Sequence, residues 1–241
     1  MRIWIVGSKG MLGSEVIQIA KELGHEIYDS STEIDCILNC AGKRPGSSSL
    51  EMIESNTVLP HWLAKFGIPM VHMSTDCVYS GRTWEYFRRG SPNPNDLYGR
   101  TKLAGEVDAS HVLNVRGSFI GFRHGFLAWI LSAHGKIEVW KNAFWNGVTV
   151  KQMARTLVTL AEQWPQKMGE NQQRVIQVGC KNYMSKARMA KYLVEKLDLP
   201  VSLELVDTPL IYRVLEPDIE FPSVESVLDE IIEEYRNAPH D

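Results

Sequence analysis

Apolar runs and amphipathic stretches alternate along the chain. "RIWIVG" at Arg2–Gly7 is followed, from about Met11 to Leu23, by apolar residues at helical spacing. "DCILNCAG" precedes a helical stretch near Ser49 to Phe66, and "PMVHMSTDCVY" precedes a helix that begins near Tyr98. "HVLNVRGS" leads into "GFLAWILSAHG", and "VTVKQMARTLVTLAEQW" leads into "RVIQVGC". Runs that stay apolar instead of alternating suit strands covered on both faces, and the helices between them suit parallel crossovers. Such crossovers are right-handed, so the pattern predicts an α/β fold with a doubly wound parallel sheet of Rossmann type. Beyond Cys180 it changes to helix, short strand and proline-marked loops, closing with a helix from Ser223 to Asn237. This tail reads as a small second lobe.

Composition narrows the function classes. The 241 residues are 44% hydrophobic and 23% charged, with a formal net charge of −3. That balance gives no reason to expect nucleic acid or an anionic membrane surface as a partner. Arg88-Arg89, the one basic cluster near the candidate site, is too short to track a phosphate backbone. No apolar run approaches the roughly 20 residues of a membrane span, and the N-terminus lacks a signal-peptide core, so a cytoplasmic location is expected. Cys36, Cys40, Cys77 and Cys180 match no zinc spacing, so no metal site is expected. Cys36 and Cys40 lie in an apolar run and read as buried, unpaired thiols.

Three motifs carry candidate chemistry. "GSKGMLG" places Gly7, Gly10 and Gly13 directly after the first strand. Glycine there lets the backbone turn and approach a pyrophosphate, while the helix N-terminus aims N–H groups at it. Ser74, Thr75 and Asp76 in "MSTDCVYSG" emerge at the C-terminal end of a strand, the edge where open α/β sheets bind ligands. "LYGRTKLAGE" puts Tyr98 and Lys102 four residues apart, on one face of a helix. A free phenol, with its pKa near 10, is a poor proton donor or acceptor at neutral pH; a neighbouring ammonium favours the phenolate. Tyrosine could then act as general acid toward a carbonyl oxygen.

Together "GSKGMLG", "LNCAG", "STDCVYSG" and "LYGRTKLAGE" resemble the extended short-chain dehydrogenase/reductase superfamily, and most nearly its sugar-nucleotide reductases related to dTDP-4-dehydrorhamnose reductase. The resemblance runs from about Arg2 to Cys180 and more weakly into "LEPDIEFPSVESVLDEII". It implies that Thr75 hydrogen-bonds a substrate carbonyl, that Tyr98 donates the proton, and that Lys102 binds a nicotinamide ribose and lowers the tyrosine pKa. Gly7, Lys9, Gly10, Met11, Leu12 and Gly13 would form the pyrophosphate loop of NADP or NAD, and Asn39, Ala41 and Gly42 the loop beneath the cofactor. Asp29 and Ser30, at the end of the second strand, would meet the adenosine ribose. A carboxylate at Asp29 suits NAD, whereas Lys9 suits the 2′-phosphate of NADP. Asp76, Cys77, His124, Trp145 and Asn146 are candidates for substrate contact. The implied division is a dinucleotide-binding domain of residues 1–117 and 148–179, with a substrate lobe of residues 118–147 and 180–241.

Two departures qualify the resemblance. Cys77 stands where an aromatic residue is usual and matches the proton-transferring cysteine of GDP-fucose synthase, with His124 loosely in place of its histidine partner. A buried, inert thiol is the competing reading. The second departure is a missing crossover: "HEIYDSS" reaches "DCILNC" after only Ser31 to Ile34, whereas a parallel crossover normally takes a dozen or more residues. The sheet should be shortened on its adenine side. The adenine would then rest on an exposed surface near Asp29 to Thr32, with weak dinucleotide binding and poor discrimination between NADH and NADPH.

The expected activity is NAD(P)H-dependent reduction of a keto group, at C4, of a nucleotide-activated deoxysugar in polysaccharide or deoxysugar biosynthesis; the chain could also form a homodimer. One alternative is an epimerase or epimerase-reductase using Cys77. Another is a non-catalytic nucleotide-sugar or dinucleotide-binding protein on the same scaffold.

Overall fold

The computed structural model describes residues 1–30, 32–82, 86, 90–168 and 173–237. Ser31 and the Arg88-Arg89 pair lie outside them. From the N-terminus run β1 (Arg2–Val6), α1 (Met11–Glu22), β2 (Glu26–Tyr28) and β3 (Cys36–Asn39). Next come α2 (Ser49–Ile53) and α3 (Leu59–Ala64), joined by a π-helical turn over Glu54–Val58. β4 (Met70–Met73) leads to α4 (Leu97–Ala104), which carries Tyr98 and Lys102, and then to β5 (Val112–Arg116). β6 (Phe119–Ile120), α5 (Phe126–Leu131), β7 (Gly135–Trp140), β8 (Ala143–Trp145) and β9 (Val148–Thr149) precede α6 (Val150–Lys167) and β10 (Val175–Cys180). The last part holds β11 (Met184–Ser185), α7 (Lys186–Leu197), β12 (Val201–Val206), β13 (Ile211–Arg213), β14 (Ile219–Phe221) and α8 (Val224–Asn237).

The main sheet has the order β14-β10-β5-β4-β3-β1-β2, and every neighbouring pair in it is parallel. Strand periodicity divides its side chains between two cores. Ile3, Ile5, Cys36, Leu38, Val71 and Met73 join α1, α6 and α8 on one face. Trp4, Val6, Ile37 and Met70 meet Leu63 of α3 on the other. This is the doubly wound arrangement that the apolar runs predict. Chain order reverses beside β1, with β2 on one flank and β3 on the other, so a crevice opens at the C-terminal ends of these strands.

The adenine-side edge is short, as the missing crossover predicts. β2 pairs with β1 only from Arg2 to Trp4, while β3 continues alongside to Val6. The return is stitched at its end. Asp35 N donates to Arg2 O (2.8 Å), and the Asp35 carboxylate accepts from Arg2 N (2.8 Å) and from the Arg2 guanidinium (3.0 Å). Ile34 packs with Trp4, and β2 is the last strand on that side.

The tail departs from its expected place at one point. β14, within the segment assigned above to the substrate lobe, pairs with β10 and extends the main sheet, and α8 packs into the same core as α1 and α6. A three-residue strand between proline-marked loops gives no periodic signal, so only the fold reveals its partner. The lobe proper consists of α5, α7 and two small sheets, β11-β8-β13 and β12-β7.

Candidate active site

β1 delivers the chain into the glycine loop at the crevice. Gly7 has φ of +84°, and a Cβ there would lie 2.5 Å from Ala41 N; a Cβ on Gly13 would lie 2.2 Å from Gly7 O. Both positions therefore exclude side chains, and α1 sits directly on the turn. Gly10 caps α1, its N–H donating to Gly7 O at 3.0 Å. Asn39 shapes the facing loop, because its side-chain oxygen accepts from Ala41 N at 3.1 Å. Between the two loops lies a cavity of about 510 Å³, walled by Lys9, Gly10, Met11, Leu12, Ala41, Gly42, Lys43 and Arg44, and by Tyr98, Lys102, Arg123 and His124. Four exposed cations line it together with the N-terminus of α1, a set that suits an anionic ligand.

Tyr98 and Lys102 line this cavity, and Tyr98 meets Thr75, which is buried and does not line it. Thr75 leaves β4 and caps a short 3₁₀ turn over Asp76–Val78, its hydroxyl accepting from Cys77 N at 3.2 Å and lying 3.1 Å from Asp76 Oδ1. The Tyr98 phenol shares a hydrogen bond with Thr75. α4 is started by Asp96, which accepts from Gly99 N at 2.7 Å. Lys102 is 4% exposed, and its ammonium donates to Met73 O at 2.7 Å. Burial lowers the Lys102 pKa to about 8. Burial also pushes the Tyr98 phenol well above its usual range, with the Thr75 hydrogen bond working the other way. Desolvation thus outweighs the Thr75 hydrogen bond and holds the phenol toward its protonated form, while Lys102, expected to lower the tyrosine pKa, is not among the groups that shift it.

The substrate candidates separate in space. Cys77 is in contact with the Arg213 guanidinium of β13, which also reaches Asp96 Oδ2 at 3.3 Å. Burial drives the Cys77 thiol upward, and the nearby Asp76 charge adds to it. His124 lines the cofactor-side cavity with Lys9 and Arg44, and Cys77 is not among the residues lining it. Asn146 is not free for a sugar: its amide donates to Cys180 O (3.0 Å) and Leu215 O (2.8 Å), and its oxygen accepts from Leu215 N (3.0 Å). Trp145 is buried too, with Nε1 donating to Ser118 Oγ at 2.5 Å. Asp29 and Ser30 are exposed at the end of β2, outside the lining of the cavity.

Several site residues carry no sequence signal. Lys43, Arg44 and Arg123 join the cationic wall from loops. Asn56, buried in the π turn, accepts from Lys43 N (2.7 Å) and donates to Lys43 O (2.9 Å) and Thr101 Oγ1 (3.1 Å), tying the loop after β3 to α4. In the lobe, Phe126, Trp129, Trp140 and Lys186 enclose a second cavity of about 310 Å³. The Lys186 ammonium lies 4.5 Å from the centre of the Phe126 ring and 5.7 Å from that of Trp145, and burial lowers its pKa.

Comparison with known proteins agrees with this geometry. A family model described as "RmlD substrate binding domain" matches residues 51–208. A protein of Haloferax volcanii named "Probable low-salt glycan biosynthesis reductase Agl14" is 28% identical over 180 residues, covering 55% of this chain and 60% of that protein. Methionine adenosyltransferase 2 subunit beta of Bos taurus is 32% identical over 90 residues, covering 34% of this chain and 26% of that protein. The chain thus spans less than two thirds of the length of these curated relatives. Among solved structures, a dTDP-4-dehydrorhamnose reductase from Clostridium acetobutylicum superposes with a TM-score of 0.85 at 20% identity, covering 98% of this chain and 100% of that one. The Bacillus anthracis dTDP-4-dehydrorhamnose reductase in complex with NADP gives 0.80 at 18% identity, covering 97% and 99%. At these identities the likeness is one of fold.

Proposed function

The chain belongs to the RmlD substrate binding domain family, and from that we propose that it is an NAD(P)H-dependent reductase of a keto group, at C4, on a nucleotide-activated deoxysugar. The observation that carries the reading is that Tyr98, hydrogen-bonded to Thr75, lines with Lys102 a cavity walled by a glycine loop and four cations. The residues fit a dinucleotide. Gly7 and Gly13 leave no room for side chains where backbone approach is needed, and Lys9, Lys43, Arg44 and Arg123 supply positive charge for phosphates. When bound, the reduced nicotinamide supplies the hydride. Thr75 and Tyr98 then hold the substrate carbonyl oxygen, and Tyr98 gives it a proton; the buried Lys102 ammonium stabilises the anionic character that develops there. The lobe cavity supports a nucleotide-sugar as substrate: its aromatic walls suit a base, and of its two charged lining residues Lys186 suits a diphosphate and Glu138 a sugar hydroxyl.

A plain reductase is favoured over an epimerase because the Cys77 thiol is driven toward its protonated form and faces Arg213 rather than a histidine. Turnover in deuterated water should leave no solvent deuterium at C3 or C5 of the sugar. Enzyme-dependent label that disappears in Cys77→Ser would move the protein to the epimerase-reductase class. The shortened adenine edge favours a second reading, a binding protein without turnover. Loss of reduced-nicotinamide absorbance against a panel of keto-sugar nucleotides decides between the two, and binding of both ligands with no oxidation over hours would establish the second.

A further inference from the structure

Behind Thr75 and Lys102 lies an ion pair that proton donation does not use. Glu106 follows α4, just past its cap Gly105 and four residues after Lys102. Its carboxylate accepts from Arg116 Nε (2.8 Å) and NH2 (2.6 Å), and from Ser74 Oγ (2.5 Å). The side chains of Arg116 and Glu106 are only 6% and 8% exposed. The network runs on: Arg116 NH1 donates to Tyr79 OH (2.7 Å), and Tyr79 OH donates to Gln177 Oε1 (3.0 Å) on β10. Ser74 is thereby held from two sides, its own N–H donating to Val115 O at 2.7 Å. Thr75 is the next residue.

A buried ion pair is poor evidence of a stability role, because desolvation offsets most of its attraction and apolar packing often does as well. Its place relative to Lys102 suggests another use. The Met73 carbonyl accepts from the Lys102 ammonium, and the groups that act on it electrostatically are the His72 imidazole of β4, the Cys40 thiol at the end of β3, and Glu106, four residues on and paired with Arg116. His72 is kept neutral by burial, and burial pushes Cys40 up to about 12. Tyr98, on the same helix, keeps its proton. Glu106 is the anion in this set.

We propose that Glu106 is a positioning residue of the reductase site: it anchors Ser74, and through it Thr75, and it is the fixed anion that keeps Lys102 an ammonium at neutral pH. The inference rests on the reductase reading above.

The test uses the full chain and NADPH, with the dissociation constant followed by protein fluorescence from about pH 6 to about pH 10 around the lysine titration. In the wild type, affinity should fall as pH rises through the Lys102 pKa of about 8. Glu106→Gln should move that midpoint down by about one unit. Ser74→Ala keeps every charge, so it should leave the midpoint in place and lower kcat about tenfold through misplacement of Thr75, more than it changes NADPH affinity. An unshifted midpoint in folded Glu106→Gln, or wild-type kcat in Ser74→Ala, would overturn the proposal and leave the pair a structural one. If Glu106→Gln does not fold, the kcat of Ser74→Ala decides, and a wild-type value there overturns the proposal. Absence of binding of both NADPH and NADH by the wild type at every pH would take down the reductase reading itself, a result separable from the others.

Discussion

Tyr98 and Lys102 share a face of α4, yet burial pushes their pKa values in opposite directions, the phenol up and the ammonium down to about 8. The phenol therefore carries its proton throughout the neutral range. Tyr98→Phe should lower the reduction rate by about 10² or more while leaving NADPH affinity near normal, as steady-state rates and a binding titration would show. Lys102 links activity and stability with opposite signs. Its folded pKa lies below the ordinary 10.5, so between about pH 8 and that value the unfolded chain binds more protons, and this group's contribution to stability rises with pH. Below pH 8 the charged form is buried at a cost on the order of 3 kcal/mol. Lys102→Met should therefore be inactive yet more resistant to urea than the wild type at pH 7, with the gap closing toward pH 10. A less stable Lys102→Met at pH 7 would show that the Met73 contact outweighs desolvation. Tyr98 and Lys102 are legible in the sequence because a spacing of four puts them on one face of a helix, and Thr75 because it follows an apolar strand. Glu106 stands in the same motif, but its partner Arg116 comes from the next strand, and Arg213 reaches Cys77 from a distant one. Such pairs exist only once the sheet has formed.

At the scale of the element, α4 is held against its neighbours by backbone contact. A Cβ on Gly99 would lie 2.2 Å from Cys77 O, and one on Gly105 would lie 1.8 Å from Asn56 O. The helix thus touches the loop bearing Thr75 at one end and the π turn at the other. Neither neighbour is a flexible side chain, so the helix itself must move. Gly99→Ala should destabilise the fold by about 1–3 kcal/mol and displace Tyr98 from Thr75, so the loss of kcat should exceed the loss of NADPH affinity. Near-normal kcat with a normal urea midpoint would mean the loop yields instead. The helices were readable from periodicity, since burying one face imposes it, and the long strands from unbroken apolar runs, since both their faces are covered. The π turn was not, because its cause is one buried asparagine whose amide is satisfied by Lys43 and Thr101. β14 was not either, since three residues carry no period.

The whole molecule is a doubly wound sheet that stops at β2, and its ligand-binding consequences follow from where that strand ends. β2 gives out level with Trp4, whereas β1 and β3 continue to Val6 and Asn39, so the C-terminal crevice has one wall lower than the other. Asp29 and Ser30 stand exposed on the low side. The glycine loop and the cations Lys9, Lys43, Arg44 and Arg123 line the cavity itself. An adenine left uncovered by about 100 Å² forfeits about 2–3 kcal/mol, or some 50-fold in affinity. The phosphates, by contrast, meet exposed positive charge, whose attraction is screened within about 10 Å at 0.1 M salt. Dinucleotide binding should accordingly be weak, with Kd on the order of 10–1000 μM, and it should weaken further as salt rises. With Asp29 off the cavity and the charge spread over several exposed side chains, NADH and NADPH should differ by less than about tenfold at 0.5 M salt, where the extra phosphate gains little. Fluorescence titrations with both cofactors at low and high salt, on protein whose mass in solution has been measured, test the whole set. Sub-micromolar binding by a demonstrated monomer, indifferent to salt, would mean that residues 29–35 close over the adenine and that the low wall is not open in solution.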